Sequence, residues 1–345
     1  MNNRTHKRNS IVFLLLTIVL LVSSLVSARY GAVHIDPEQM LDAVQKYFFN
    51  ESGMNLQERI FMEIRLPRTV LCVLTGATLA TGGVMMQALF RNPIIEPGLI
   101  GTSSGAAFGA SLYFVLGAGF QIGAGEWTLP LAACLGAILS TVLVLVISGS
   151  GRSGKNSVVA LLLSGIAINA LFLSGVGFLS YMARDPQARS ITFWGMGTLS
   201  GANWHSVTIV SISTVLCIGI ALRYGKHLNA LMMGEDEAAL LGVDIRKLKR
   251  IVLLLNLIMI AVATSFVGVI SFVGLIVPHL LRMVTGSDNR FLLIGSALAG
   301  GILLTLADLL ARTAFAPAEL PIGIVTSIVG TPVFIILLQK KNYLF

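Results

Sequence analysis

"LPLAACLGAILSTVLVLVISGSGRSGKN", Leu129 to Asn156, decides the fold, because it admits two opposite readings. Its last eight residues, Gly149 to Asn156, nearly spell a phosphate-binding P-loop. Gly149, Gly154 and Lys155 are in register, and "VLVLVI" precedes them as a candidate strand. Asn156, however, stands where the loop needs a Ser or Thr to hold Mg²⁺. The 19 residues from Leu129 to Ile147 carry no charge and are mostly apolar. That is the length of a membrane-spanning helix, not of a short parallel strand. The stretch therefore reads as a span followed by a basic turn, in which Arg152 and Lys155 help to fix topology. Any ATP that drives this protein binds to another subunit.

Composition points the same way. The 345 residues are 55% hydrophobic and 12% charged, with a mean hydropathy of +0.85. Soluble domains carry roughly 25% charged residues, so this chain cannot clothe its apolar surface in a charged shell. Thirty-five glycines suit closely packed membrane helices. The net charge of +8 forms no stripe for nucleic acid; the basic residues sit at the ends of apolar runs. Cys72, Cys134 and Cys217 each lie inside an apolar run without metal or disulfide spacing, and read as small packing residues.

Apolar runs of spanning length fall near 11–28, 67–90, 99–117, 129–148, 157–180, 204–222, 250–269, 291–311 and 322–339. A shorter run near 272–285 is interrupted by Pro278, His279 and Arg282. Counting it, the chain is an all-α polytopic membrane protein of about ten helices in one domain, 1–345, with both termini on one side. Placing the N-terminus in the cytoplasm puts 16 of the 24 basic residues inside, including the cluster from Arg223 to Arg250. Arg29, Lys46, Arg59, Arg65, Arg68, Arg184, Arg189 and Arg312 then lie outside. Residues 29–65 form an external segment. The first run resembles a signal peptide in its basic start and small-residue "SLVSA" end. At about 18 residues it exceeds the usual 7–15 residue apolar region, and reads as an uncleaved span.

Three stretches ask for more than packing. "NALMMGEDEAALLGVDIRKLKR", Asn229 to Arg250, is too polar to insert and too apolar for a plain linker. Glu235, Asp236 and Glu237 suit a helix N-terminus, and Ala238, Leu241 and Val243 supply a small apolar face around the break at Gly242. It reads as a helix on the membrane surface or as a docking knob for a cytoplasmic partner. In Arg65 to Ala110, Pro67 can open a helix, Gly76, Gly82 and Gly83 permit close contact, and Pro93 and Pro97 prevent the following cytoplasmic turn from continuing as helix. Gly101, Gly105 and Gly109 repeat every fourth residue as a packing stripe. In Gly268 to Phe334, Asp308 lies deep in an apolar span. An ionisable residue there is a functional candidate, or is neutral, or is bonded to a neighbouring helix. No metal-ligand cluster and no nucleophile–base pair appears, so the chain reads as a non-enzyme with no bound cofactor.

Together "RLPR", "MQALFRNP", "EPGLIG", "GEDEAALLGV", "FVGLIVPHLLR", "LADLLAR" and "ELPIGIVTSIVGTPVF" resemble the FecCD/BtuC-type permease subunits of ABC importers, in that family's order from about residue 60 to 340. The resemblance implies a BtuC-like fold in the bacterial inner membrane and a paired second copy, with the path between the two. It implies two ATPase subunits, which use ATP and Mg²⁺, and a periplasmic or lipid-anchored binding protein. The ATPase-docking positions it implies are Gly234, Glu235, Ala238, Leu241, Gly242 and Val243, within a cytoplasmic coupling segment at 229–249. Those implied for the binding protein are Arg65, Arg68 and Arg312, whose forked donors suit carboxylates. The cargo is an iron chelate, haem first and ferric siderophore second, with cobalamin as the alternative in the same family. Arg184 and Arg189 are candidates for meeting haem propionates at the entrance, although Asp185 stands beside one of them. An ATP-independent secondary transporter is the alternative from another class.

Overall fold

The computed structural model describes residues 3–31, 33–49, 53–117, 125–149 and 158–339. Among these every regular element is helical. The Leu129–Ile147 run lies inside one continuous helix, α6 (Thr128–Gly149), so the strand that a P-loop requires is not there. The basic turn itself, with Arg152 and Lys155, falls outside the described residues, as do Lys340 and Lys341.

Each of the ten apolar runs lies on a helix. The others are α1 (Asn3–Arg29), α4 (Leu66–Phe90), α5 (Thr102–Leu116), α7 (Val158–Met182), α9 (Trp204–Arg223), α12 (Ile245–Val267), α13 (Val273–Thr285), α14 (Asn289–Thr313) and α15 (Ile322–Gln339). Seven of the helical stretches are long and apolar enough to cross a bilayer alone, while α5, α13 and α15 are shorter. Short helices occupy the connections: α2 (Pro37–Phe48) and α3 (Leu56–Ile60) before α4, α8 (Asp185–Gly195) after α7, and α10 (Gly225–Met233) and α11 (Glu235–Leu240) before α12. Large apolar side chains such as Leu163, Leu171, Phe178 and Val215 face outward, an arrangement that only lipid or another chain makes favourable.

Pro67 does not open its helix. The helix runs on from α3 through a π turn, Phe61–Arg65, in which the Leu66 N–H reaches back to Phe61 O. Proline supplies no N–H, and the wider turn just before it carries the helix past the missing bond.

Glycine sets the tightest contacts. Gly76 of α4 and Gly300 of α14 meet backbone to backbone, as do Gly105 of α5 and Gly136 of α6, so a Cβ at any of the four would run into a carbonyl oxygen or its carbon. Hydroxyl pairs add cross-helix bonds of the kind apolar surroundings favour: Thr78 with Thr214 at 2.6 Å and Thr102 with Thr141 at 3.0 Å.

The turn after α4 does not stay at the surface. Residues 96–101 fold inward as a short 3-10 turn, Pro97–Ile100, wedged against Gly82 of α4 and Gly274 of α13. Non-helical backbone inside a membrane domain must find hydrogen bonds within the protein. Asn256 of α12 donates to Pro97 O at 2.9 Å, Asn169 of α7 donates to Leu99 O at 2.9 Å, and Glu96 accepts from the Phe272 N–H at 3.0 Å. Glu96 thereby caps the start of α13.

Candidate functional site

The α10–α11–α12 connection forms a compact unit at one end of the helix bundle. Three features of "GEDEAALLGV" give its shape. Three acidic residues begin α11, where the helix N-terminus favours negative charge. Gly242 closes it with φ +81, a conformation open to glycine. The Gly242 N–H bonds Ala239 O and the Val243 N–H bonds Ala238 O, at 2.9 and 3.0 Å, the two bonds of a Schellman close. Asp244 then caps α12, accepting from the Lys247 N–H at 3.0 Å.

This geometry sorts the predicted docking residues. Ala238 is fully buried, Gly234 is buried and Val243 is half-buried, so they build the knob from inside. Glu235 is held by Lys249 Nζ at 2.8 Å, which ties the start of α11 to α12. Leu241 is 64% exposed. Two side chains outside the predicted set project further: Leu240, 89% exposed, and Met233, 69% exposed. The apolar surface of the knob is therefore Met233, Leu240 and Leu241. The Schellman close was the available signal, since it packs the residue three before the cap (Ala238) against the one after the glycine (Val243) and turns Leu240 away.

At the opposite end, where α1 and α14 finish and α4 begins, the three predicted arginines come together with two acids. Asp308 is only 1% exposed. Its Oδ1 accepts from Arg68 Nε at 3.0 Å and Nη2 at 2.9 Å, and its Oδ2 lies 2.9 Å from Arg312 Nε, an ion pair rather than a well-directed hydrogen bond. Asp308 is thus bonded to a neighbouring helix. Arg312 Nη2 donates to Ser27 O and Oγ at 2.8 Å, and Nη1 donates to Tyr30 O at 3.0 Å. Arg65 also donates to Tyr30 O, at 3.4 Å. Both guanidiniums therefore satisfy the orphan carbonyls at the C-terminal end of α1, a place that favours cations.

Arg65, Arg68 and Arg312 are all buried, so none is the free surface cation that a docking partner would first meet. The reason is local: α1 and Asp308 take their donors. One edge reaches outward. Arg68 Nη1 holds both oxygens of Glu319 at 2.9 and 3.1 Å, and the Glu319 side chain is 44% exposed.

Arg189 on α8 and Arg184 just before it lie exposed at this same end, where α8 packs against α5 and α7 and Trp204 Nε1 of α9 donates to Met62 O at 3.0 Å. Arg184 occupies the N-cap position, and the Arg189 guanidinium lies over the Phe193 ring at 5.4 Å. Among the described residues, Asp185 is within ion-pair distance of neither.

Comparison with known proteins decides the class. Residues 17–340 match the model of the FecCD transport family. The chain belongs to the FecCD transport family. The permease is 40% identical over 342 residues to the hemin transport system permease protein HmuU of Yersinia pestis, covering 99% of this chain and 98% of that one. It is 36% identical over 337 residues to the vitamin B12 import system permease protein BtuC of Vibrio vulnificus strain CMCP6, covering 98% and 96%. A solved inward-facing metal-chelate type ABC transporter superposes with a TM-score of 0.83 at 31% identity, over 96% of this chain and 99% of that one. The FecCD permease is therefore the membrane-spanning subunit of an ABC importer. Hydrolysis of ATP lies on separate subunits, and the ATP-independent alternative falls away.

Proposed function

We propose that the FecCD permease imports haem, across the bacterial inner membrane and into the cytoplasm, by alternating access. The carrying observation is the end-to-end similarity to the hemin permease, joined to two exposed guanidiniums, Arg184 and Arg189, on the face where substrate would arrive. Propionates are carboxylates, and exposed arginine forks suit them. A ferric siderophore is the second cargo this reading allows. Cobalamin is the third, supported by the similarity to the vitamin B12 permease.

The permease works as a pair with a second copy. A groove of about 240 Å³ between α13, α14 and α15, lined by Phe272, Ile276, Leu303, Leu306 and Val329, is almost wholly apolar. It falls below the roughly 300–1,000 Å³ of a small-molecule site, so a bulky chelate needs walls from a second chain. Two ATPase subunits seat on Met233, Leu240 and Leu241, backed by Gly234, Glu235, Ala238, Gly242 and Val243, with both termini on this cytoplasmic side. A binding protein docks on the other face, where its carboxylate takes the Arg68 edge now held by Glu319. Arg65 and Arg312 brace that edge from beneath. Residues 29–65 form the external segment.

The test is uptake by cells that depend on this permease with its own partners, offered labelled haem, a ferric siderophore and cobalamin side by side. Haem uptake that stops with an inactive ATPase, and falls when Arg184 and Arg189 become Gln, is the expected result. Uptake of another chelate alone refutes the haem assignment, and uptake indifferent to the ATPase refutes the importer mechanism.

A further inference from the structure

The docking knob leaves one set of bonds behind it unused. Asn229 of α10 turns both ends of its carboxamide away from the knob and onto the α13–α14 turn. Its Nδ2 donates to Asp288 Oδ1 at 2.8 Å. Its Oδ1 accepts from the Asn289 N–H at 2.8 Å and from Asn289 Nδ2 at 2.9 Å. Asn289 Nδ2 also lies 3.0 Å from Met232 Sδ, and Asn289 is fully buried. Asp288 is the N-cap of α14 and is ion-paired with Arg290 at 2.7 Å. Leu228 and Leu231 pack the apolar side of α10 into the core beneath this contact.

The helix that begins at this grip ends at the charge cluster. Asn289 and Asp308 are both on α14, 19 residues apart, which at 1.5 Å per residue is about 28 Å of unbroken helix. Apolar contacts alone tolerate sliding. A carboxamide bonded at both ends is directional and fixes register.

We infer that Asn229 is a positioning residue for coupling: its grip on Asp288 and Asn289 makes α10 and α14 move together. A push on the knob is then delivered along α14 to the Arg68–Asp308–Arg312 cluster on the far face. The inference rests on the docking role proposed for Met233, Leu240 and Leu241.

The experiment uses the whole importer in liposomes, with its ATPase subunits and binding protein, and the chelate that the uptake comparison identifies. Two quantities are read: recovery of the assembled complex, and chelate delivered per ATP hydrolysed. Asn229→Asp keeps the side chain's size, removes its donor and sets two carboxylates face to face. Assembly should persist while delivery per ATP falls about fivefold or more, the lower end of coupling between sites. Adding Asp288→Asn removes one of the two facing charges and returns a donor to the contact. Because Asp288 Oδ1 also accepts the Arg290 N–H, the swap weakens the cap and the yield of complex, but the ratio of what assembles should recover. A purely structural role would lower the yield of complex and leave the ratio of what assembles unchanged. An unchanged ratio in Asn229→Asp, or a lowered ratio that the swap fails to restore, overturns the inference. If Asn229→Asp does not assemble, Asn229→Ser is read by the same ratio. Leu240→Asp is the separate check on docking: if the ATPase still assembles on it, the docking reading has failed and not the grip.

Discussion

Asp308→Asn should cost far more stability than Glu319→Gln, although both remove one negative charge from the same arginine. The Asp308 carboxylate lies between Arg68 and Arg312, whose side chains are 10% and 3% exposed. Replacing it with an isosteric amide leaves two guanidiniums facing each other in a nearly dry site. Removing one partner of a buried pair typically costs about 3–5 kcal/mol. Glu319 retains one of Arg68's donors, and Ser27 and Tyr30 retain those of Arg312, so the lower end applies, about 3 kcal/mol. Glu319 is itself nearly half exposed, and water and salt replace what its loss removes, which limits the cost to about 0–1 kcal/mol. The two variants should therefore differ by at least about 2 kcal/mol, or about 30-fold in the unfolding equilibrium. Reversible unfolding in mixed detergent micelles, followed by helical circular dichroism, measures both. The Asp308→Asn deficit should survive added salt, whereas the small Glu319→Gln effect should fade. If the two differ by less than about 1 kcal/mol, the cluster does not anchor α14 to α4 and burial does not set the cost of losing the charge.

Leu240→Asp should leave unfolding unchanged and abolish co-purification with the ATPase subunits, while Ala238→Leu should overpack the knob and cost about 1–3 kcal/mol; reversed outcomes would invert the sorting of buried and exposed residues. Glu319→Gln should tighten association with the binding protein, most at low salt, as read by surface-immobilised binding; weaker association would mean that Glu319 helps docking. Gly105→Val should collapse the yield of folded permease because Gly136 O occupies the space of a side chain, and a normal yield with unchanged thermal stability would refute that contact. Burial raises the Asp288 carboxyl, but bonds from Arg290, Asn229 and the Arg290 N–H outweigh it and hold it below its ordinary range. A lowered folded pKa stabilises above the unfolded value of about 3.9 and is lost only as pH falls through the folded one. Hydrogen exchange at the Asn289 amide, corrected for intrinsic rate, should therefore show constant protection from pH 5 to 8.

The helices were legible because most of the apolar runs exceed what a soluble segment carries, and because glycines at 105 and 109 mark a packing face against α6; Gly101, expected on the same stripe, instead precedes α5 with φ +94. What stayed hidden was depth. Nothing local distinguishes Glu96, in a turn between two spans, from a solvated acid. Its half-buried place follows from Asn169, Asn256 and Phe272, residues far along the chain that draw the turn inward. The knob was half legible. A six-residue helix has too few turns for its periodicity to tell the buried Ala238 from the exposed Leu240, whereas the Gly242–Val243 close distinguishes them.

The arginine cluster was legible as residues and illegible as chemistry. Arg68 and Asp308 stand 240 positions apart, and no spacing rule joins them. Read singly, Asp308 is a lone acid in a span and the arginines are surface cations. Together Arg68, Arg312 and Asp308 pair their charges, and the carbonyls at the end of α1 take further donors of Arg312 and one of Arg65. If the binding protein docks at this face as proposed, it must reach an arginine already engaged. Opening the Asp308 side would expose a buried charge, at several times the cost of opening the Glu319 side. An incoming carboxylate that exchanges with Glu319 leaves Arg68 paired throughout, so docking can proceed without an unpaired buried guanidinium. For that reason Glu319 is the group to be displaced and Arg68 the group that binds, and Glu319 sets how readily Arg68 is reached.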